Sequence, residues 1–477
     1  MGDAILLAAI NAKWIHPSLA LRLLKANLGE LEKQCGIIEF ALRQPLREKV
    51  DPILAARPRI LGLSVSIWNH SATLELLREL RKVWDTQSSS GQATCHERPV
   101  IILGGPEVSH LPPNAEIFIY ADYCVAGEGE VAFRLLCEKI FADGNENSFD
   151  TITFVEAEPV DVNKINSGYR LYTGEDLERK LVYVEASRGC PFGCEFCLST
   201  NTHVREFPLE QFFTEMDDLI DRGARTFKFL DRTFNLNIER ARRVMEYFLG
   251  KIKNRTAPLV VHFEMVPSRF PPELLETIAR FPPGNLRLEI GIQTLNAEVS
   301  AHIGRPSNPG QELAALRHLR EKTAIIHADL IAGLPGEDMA SFAAGFDALW
   351  AALAPAKDNA ASRHSHVEIQ LGILKLLPGA PIARHTAAFG MCYNSSPPYE
   401  LMESGAIPAG DFDRIKNFAR FWELVVNRGL WSPPESWAEK DGVFEKFMAL
   451  SDSLLARFGR NWGIPKNELL EAVHAFG

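Results

Sequence analysis

No apolar run in this 477-residue sequence approaches the roughly 18–20 residues that a membrane-spanning helix needs. The opening, MGDAILLAAINAKW, carries neither a basic region nor a small-residue cleavage site. A secretory leader is therefore not expected, and a cytoplasmic location is. Excess positive charge is missing as well: 51 Lys and Arg against 61 Asp and Glu give a net charge of -10. That balance argues against a nucleic-acid partner, although it leaves room for a local basic channel. Cysteine is scarce. Five of the eight (Cys35, Cys95, Cys124, Cys137 and Cys392) are scattered, which excludes a disulfide scaffold and fits a reducing compartment. What is present is ordinary globular composition, 46% apolar and 23% charged, which excludes a disordered or fibrous chain. The length suggests about three domains. A core of that size folds without a metal staple, so any metal site needs a chemical reason.

The first third alternates strand and helix. Strands are expected at Ile5–Ile10, Ile37–Leu42, Arg59–Ser66, Val100–Pro106 and Tyr123–Glu130. Helices are expected at Leu19–Leu31, Ser71–Trp84 and Val131–Phe141, with an exposed loop over Thr86–Glu97. Such alternation predicts a doubly wound parallel sheet, whose ligands bind at the carboxyl ends of the strands. The strand-end loops are Asn11–Ser18, Ser64–Asn69, Gly104–His110 and Gly127–Glu130. Gly104, Gly105, Gly127 and Gly129 let backbone approach a ligand, but ordinary turns use glycine equally well. Residues 146–178 read as a linker, within which Thr151–Ala157 could form a short strand.

The middle third repeats strand and helix. The strands are Leu181–Ser187, Thr226–Asp231, Leu259–Met265, Leu286–Thr294, Ile325–Gly333 and His366–Leu374. Helices at Leu209–Arg222, Ile238–Lys253, Pro272–Arg280, Pro309–Lys322 and Met339–Leu353 lie between them, which predicts a partial or complete (β/α) barrel. Directly after the first of these strands comes Cys190-Pro-Phe-Gly-Cys194-Glu-Phe-Cys197. Three soft thiolates at C-x3-C-x2-C spacing suit an iron–sulfur cluster with one iron left open. The alternative is a zinc knuckle with His203 as a fourth ligand.

This cysteine motif, after the first strand of a six-unit barrel, resembles the radical S-adenosylmethionine (radical SAM) superfamily. The resemblance implies a [4Fe–4S] cluster on Cys190, Cys194 and Cys197, whose open iron binds SAM and cleaves it to methionine and a 5′-deoxyadenosyl radical. The strings EIGIQTLN, HIGRP and DLIAGLPGE are similar to the coproporphyrinogen dehydrogenase-like branch. They imply SAM contacts at Glu264, Gln293, Arg305, Asp329 and Ile331. Asp231-Arg232-Thr233 stands where relatives carry Gly-Gly-Glu, with Asp231 as the substitute. Each of these alone could equally be a strand-end polar residue capping the next helix.

The strings SVSIWNHS, ILGGPEVSHLP and VAGEGEVAF resemble the loops of the cobalamin-binding radical SAM class. That likeness implies cobalamin contacts at Ser64, Ser66, Trp68, Asn69, Gly104, Gly105, Gly127, Glu128 and Gly129. The Asp-x-His-x-x-Gly motif of classical cobalamin domains is absent, and His16 in the first loop is read as structural. Cobalamin would then lack a His ligand, with Trp68 or Asn69 covering its lower face.

The expected architecture is α/β throughout its first two domains. It comprises a cobalamin-binding-like domain (1–145), a linker (146–178), a radical SAM barrel (179–385) and a helical C-terminal domain (386–477). In the last, Phe418, Phe421, Trp422 and Val425 form an amphipathic stripe read as core. The expected function is a radical SAM enzyme using a [4Fe–4S] cluster, SAM and cobalamin to methylate an unactivated carbon. Its partners would be a small-molecule or peptide substrate and an electron donor such as flavodoxin or ferredoxin, with no membrane. The alternatives are a cobalamin-binding radical SAM oxidoreductase or cyclase, and a cobalamin sensor or electron-transfer protein that does not turn SAM over. A methylthiotransferase would need a second cluster on N-terminal cysteines, and Cys35, Cys95, Cys124 and Cys137 are not placed for one.

Overall fold

The computed structural model describes residues 4–89, 98–143, 151–255, 257–305, 307–321, 325–354, 367–440 and 442–476. They fall into two compact units. One takes residues up to 186 with 205–227 and 377–379. The other takes 187–204, 228–376 and the residues from 380 on.

The first unit contains β1 (Ile5–Asn11), α1 (Leu19–Ala26), β2 (Cys35–Ala41), α2 (Leu46–Ala56), β3 (Ile60–Ser64), α3 (His70–Ser89), β4 (Val100–Gly104), β5 (Tyr123–Gly127), α4 (Gly129–Asp143) and β6 (Thr153–Ala157). Its six strands are parallel, in the order β2-β1-β3-β4-β5-β6. The order reverses between β1 and β3, so the loops after those strands flank a topological switch point. Each central strand is buried on both faces. Leu6, Ala8, Ile10, Leu61 and Leu63 pack in one core, and Ile5, Leu7, Ala9 and Ile60 in the other. That is why these strands read as unbroken apolar runs.

Several expectations are corrected. The helix from Leu19 ends at Ala26, because Asn27 caps it and Gly29 turns left-handed at φ 59° into a 3₁₀ turn. α2 was not expected, since Pro52 and scattered charges hide its period. α3 runs on to Ser89, where a loop was expected from Thr86, and the rest of that loop, 90–97, lies outside the described residues. The expected linker supplies β6, a sixth strand pairing with β5. It also supplies α5 (Gly174–Arg179), started by a Thr173–Asp176 capping box.

After α5 come β7 (Val182–Val184) and the two-residue strands β8 (Ser187–Arg188) and β9 (Arg205–Glu206), then α6 (Leu209–Asp221). Next are β10 (Thr226–Phe229), α7 (Ile238–Lys253), β11 (Val260–Met265), α8 (Pro272–Ala279), β12 (Leu286–Gln293), α9 (Ala297–His302), α10 (Pro309–Arg320), β13 (Ile325–Ala332), α11 (Met339–Leu353) and β14 (Val367–Ile373). The second sheet runs β14-β13-β12-β11-β10 in sequence order, which is the progression of a partial (β/α) barrel. β7 follows β10 in that order, beside Thr226 and Phe227 of its own unit. Here the strands alternate. Val261, Phe263, Leu288, Ile290, Ile326 and Ala328 are fully buried, whereas His262, Glu264, Glu289, Gln293, His327 and Asp329 occupy the other face.

A two-stranded ribbon, β15 (Cys392–Tyr393) with β16 (Leu401–Glu403), leads into four helices: α12 (Ala409–Trp422), α13 (Glu435–Lys440), α14 (Val443–Phe458) and α15 (Lys466–Phe476). Phe418, Phe421, Trp422 and Val425 are all buried. Phe418 and Trp422 pack edge-to-face against Phe346 of α11 and Phe447 of α14, so the stripe is core. Among the described residues, no helix is long and apolar enough to cross a membrane.

Candidate active site

The segment from Gly189 to His203 closes on itself. Gly189 sits at φ 96°, and a Cβ there would lie 2.2 Å from the His203 carbonyl oxygen. The Cys190 N–H donates to Thr202 Oγ1, and the Thr202 N–H donates to the Cys190 carbonyl, each at 2.8 Å. Inside this closed loop each sulfur meets a hydrogen-bond donor. Cys194 Sγ accepts from Arg305 Nη1 at 3.4 Å, Cys197 Sγ accepts from the Ser199 N–H at 3.4 Å, and Cys190 Sγ lies 3.6 Å from Thr233 Oγ1. Burial raises the Cys194 thiol, and the Arg305 charge works against that rise. Among the described residues, no three His, Cys, Asp or Glu side chains converge tightly enough for a single metal ion. Among the described residues no cysteines are joined in a disulfide. Cys35, Cys124 and Cys137 are buried in strand or helix, and burial pushes Cys124 up to about 12.

Arg305 is fixed by what surrounds it. Its Nη2 donates to the Gly291 carbonyl on β12 at 2.5 Å, and its own carbonyl accepts from Ser300 Oγ. Gly304 at φ 64° brings this segment onto the cysteine loop, since a Cβ there would lie 2.5 Å from the Gly193 carbonyl oxygen. Pro306 lies outside the described residues. Gln293 ends β12 at φ 69°, beside a register shift, a strained conformation for a residue with a side chain.

The polar face of the barrel strands forms a graded electrostatic floor. Glu289 is half-buried, yet His262 and Lys228 hold it down at about 2. Lys228 Nζ lies 3.0 Å away and His262 Nε2 3.2 Å. Burial lowers His262, whose ring stacks on His327 at 5.6 Å. His327 Nδ1 lies 2.9 Å from Glu368. Glu264 and Asp329 are different: burial, reinforced by the Glu289 charge, pushes Glu264 up to about 7 and Asp329 up to about 8. Glu264 pairs in register with Glu289, and Asp329 with Gly291 and Gln370, so both stand near the carboxyl ends of their strands. Ile331 follows on the same face. Asp231 is only 2% exposed and accepts from Ser187 Oγ at 2.6 Å.

Of the residues assigned to SAM, the fold thus puts Glu264, Gln293, Asp329 and Ile331 on one face of adjacent strands, with Arg305 between β12 and the cysteine loop. The sequence reading missed His262, Lys228, Glu289, His327 and Glu368. The alternating pattern in VVHFEM, LRLEIGIQ and IIHADLIA is the signal that would have found them.

In the first unit the assigned loops also lie at strand ends. Gly105, at φ 112°, leaves 2.4 Å between a would-be Cβ and the Val65 carbonyl oxygen, so these two loops touch through backbone. Trp68 is 52% exposed. Asn69 is buried, and its carboxamide binds the Ser66 N–H and the carbonyls of Ile10 and Ser64. Glu128 is engaged by Arg205 and the Val160 N–H. Asn69 and Glu128 therefore spend their side chains bracing loops. His16 is bonded at 2.7 Å to the Tyr183 hydroxyl, in keeping with a structural role.

Residues 184–348 match the sequence profile of the Radical SAM superfamily. The cobalamin-dependent radical SAM methyltransferase TokK of Streptomyces tokunonensis is 24% identical over 446 residues, covering 87% of this chain and 60% of that protein. The 2-(S-pantetheinyl)-carbapenam-3-carboxylate methyltransferase of Streptantibioticus cattleyicolor is 21% identical over 431 residues, covering 84% of this chain and 58% of that protein. This chain thus spans about three-fifths of the length of these curated relatives. The cobalamin-dependent S-adenosylmethionine radical enzyme OxsB, solved with aqua-cobalamin and S-adenosylmethionine, superimposes with a TM-score of 0.63 at 15% identity. The match covers 99% of this chain and 78% of that one, a likeness of fold. A three-cysteine loop, parallel barrel strands with a polar inner face, and the profile match over the same residues agree: residues 184–348 are similar to the Radical SAM superfamily, and the chain shares its fold with the cobalamin-dependent S-adenosylmethionine radical enzyme OxsB.

Proposed function

We propose that this protein is a cobalamin-dependent radical SAM methyltransferase acting on an unactivated carbon of a small-molecule substrate. The observation that carries the reading is the closed loop of Cys190, Cys194 and Cys197, in which every sulfur faces a donor. Thiolates bound to iron are stabilised by such donors, so the donor set fits a [4Fe–4S] cluster. When bound, the cluster supplies the electron that cleaves SAM. The first unit's doubly wound sheet would hold cobalamin, which supplies the methyl-carrying cobalt. Ser64, Ser66, Gly104, Gly105, Gly127 and Gly129 would approach it through backbone and small side chains, with the exposed indole of Trp68 as a flat apolar face.

The chain's own contribution is orientation. Arg305 offers a fixed cation beside Cys194, placed to take the SAM carboxylate. Asp231 lies near the same loop for the amino group. Asp329, once ionised, accepts ribose hydroxyls, Glu264 adds a second acceptor, and Ile331 packs on adenine. Gln293 fixes the bend at the end of β12. A flavodoxin or ferredoxin would supply electrons.

The test is anaerobic reconstitution with iron, sulfide and hydroxocobalamin, followed by a metal count and product analysis with SAM and dithionite. Expected are about four irons and one cobalt per chain, with 5′-deoxyadenosine and S-adenosylhomocysteine formed when an acceptor is present. Both products should vanish in Cys194→Ala. An intact, reduced cluster that leaves SAM untouched refutes the proposal. Deoxyadenosine without any S-adenosylhomocysteine would turn it toward a radical oxidoreductase.

A further inference from the structure

Glu195, between the second and third cysteines, is an unusual place for a buried carboxylate, at 8% exposure. Its carboxylate accepts from His385 Nε2 at 2.8 Å and from Arg384 Nη2. Its N–H donates to the Ile303 carbonyl at 3.0 Å, and its carbonyl accepts from the Ile382 N–H at 2.9 Å. One residue is therefore tied on four sides, to the segment before Arg305 and to the turn at 382–385. The two gripping segments are themselves connected. His385 contacts the Phe389 ring at 5.8 Å, Phe389 contacts His302 at 5.3 Å, and His302 Nδ1 bonds the Pro335 carbonyl just after β13. A continuous set of contacts thus runs from the cysteine loop to the strand that carries Asp329.

Burying a carboxylate is expensive unless its charge is met. A neutral residue could make the two backbone bonds alone, so the charge needs a reason of its own. We propose that Glu195 is a positioning residue. With Arg384 and His385 it clamps the cluster loop and sets the local charge beside Cys194, and hence the cluster's reduction potential. This rests on the cluster reading above. A reduced cluster carries one more negative charge, so a fixed anion nearby disfavours reduction and a fixed cation favours it. The pair Glu195–Arg384 gives two levers of opposite sign. Arg384 is 66% exposed along its side chain, and His385 still meets the Glu195 carboxylate when Arg384 is replaced.

The experiment uses reconstituted full-length protein and reads the cluster's midpoint potential by EPR-monitored redox titration, together with the rate at which a chelator strips iron. Glu195→Gln keeps the shape and removes the anion. It should favour the reduced form about tenfold, a rise of ~59 mV for one electron. Arg384→Gln should move the potential the opposite way. Iron loss should quicken about tenfold in Glu195→Ala and be largely restored in Glu195→Gln, which still hydrogen-bonds His385. If Glu195→Gln does not fold, the downward shift in Arg384→Gln decides alone. Shifts of the same sign in both variants, or potentials within twofold of wild type in the reduced-to-oxidised ratio, overturn the proposal. A wild-type chain that takes up no iron refutes the cluster reading itself, which separates the two failures.

Discussion

Asp329→Asn removes one ionisable group from the barrel floor at nearly constant volume. In the folded chain burial, with Glu289 and Glu264 adding to it, pushes this carboxyl up to about 8. In the unfolded chain it titrates near ~4. Between those values the folded state keeps a proton that the unfolded state has released. Stability therefore falls as pH rises through the window, by about 1.4 kcal/mol per unit, and the loss is complete above the folded value. From pH 5 to pH 8 the full effect is roughly 4 kcal/mol, or about 2 kcal/mol if water in the barrel relieves half of it. Asn does not titrate. Urea unfolding of the apo chain should show Asp329→Asn more stable than wild type by about 2 kcal/mol at pH 8, with the gap nearly closed at pH 4–5. Equal stabilities at pH 8 would refute the claim that this carboxyl is held protonated. Ligand binding gives an independent readout. If ionised Asp329 receives the SAM ribose, only about one chain in ten is competent at pH 7, and apparent affinity should rise about tenfold by pH 9. Calorimetry on wild type should show that slope, and Asp329→Asn should bind weakly without it. A flat wild-type profile would remove Asp329 from the SAM site.

Two further substitutions test the loops. Gly304→Ala forces a left-handed Ala and a Cβ 2.5 Å from the Gly193 carbonyl oxygen. It should destabilise the apo chain by roughly 1–3 kcal/mol and lower iron retention after reconstitution, because Arg305 is drawn away from Cys194. An unchanged iron content and unfolding midpoint would show that the close approach is not needed. Trp68→Ala should leave stability within about 0.5 kcal/mol, since the indole is mostly exposed. It should weaken hydroxocobalamin binding at least tenfold by absorbance titration, and unaltered binding would remove Trp68 from the cofactor face.

How legible these features are depends on whether their causes are local. The cysteine loop could be read because its three thiols are neighbours in sequence. The doubly wound sheet could be read because strands covered on both faces leave unbroken apolar runs such as Ile5–Ile10. β6 was harder to place, since an edge strand with exposed Thr153, Phe154 and Glu156 carries neither signal strongly. Pro52 masks α2. Asn69 and Glu128 read as ligand contacts by their place in strand-end loops, and the bonds that also hold their side chains could not be read from the sequence. Ile10 lies far from Asn69 along the chain, and Arg205 far from Glu128. Glu195 was passed over for the same reason. Nothing near it in sequence shows that His385 completes it, 190 positions away.

The polar face of the barrel strands carries the strongest argument for a bound ligand. A strand interior of this kind is stable when filled with Val, Ile and Leu. Here Glu289 is neutralised by Lys228 and His262, and Glu368 lies against His327. Those groups offset one another's charge. Glu264 and Asp329 do not: among the described residues neither has an ion pair, and both are pushed toward the protonated form. Apolar side chains there would be more stable, by the reasoning that applies to any buried charge without a partner. Two acceptors left uncommitted on β11 and β13, one on each side of the β12 strand whose Gly291 carbonyl holds Arg305, make physical sense as groups whose partner arrives with the ligand. The pH dependence of Asp329→Asn is therefore the measurement that joins the energetics of the fold to the identity of what the barrel binds.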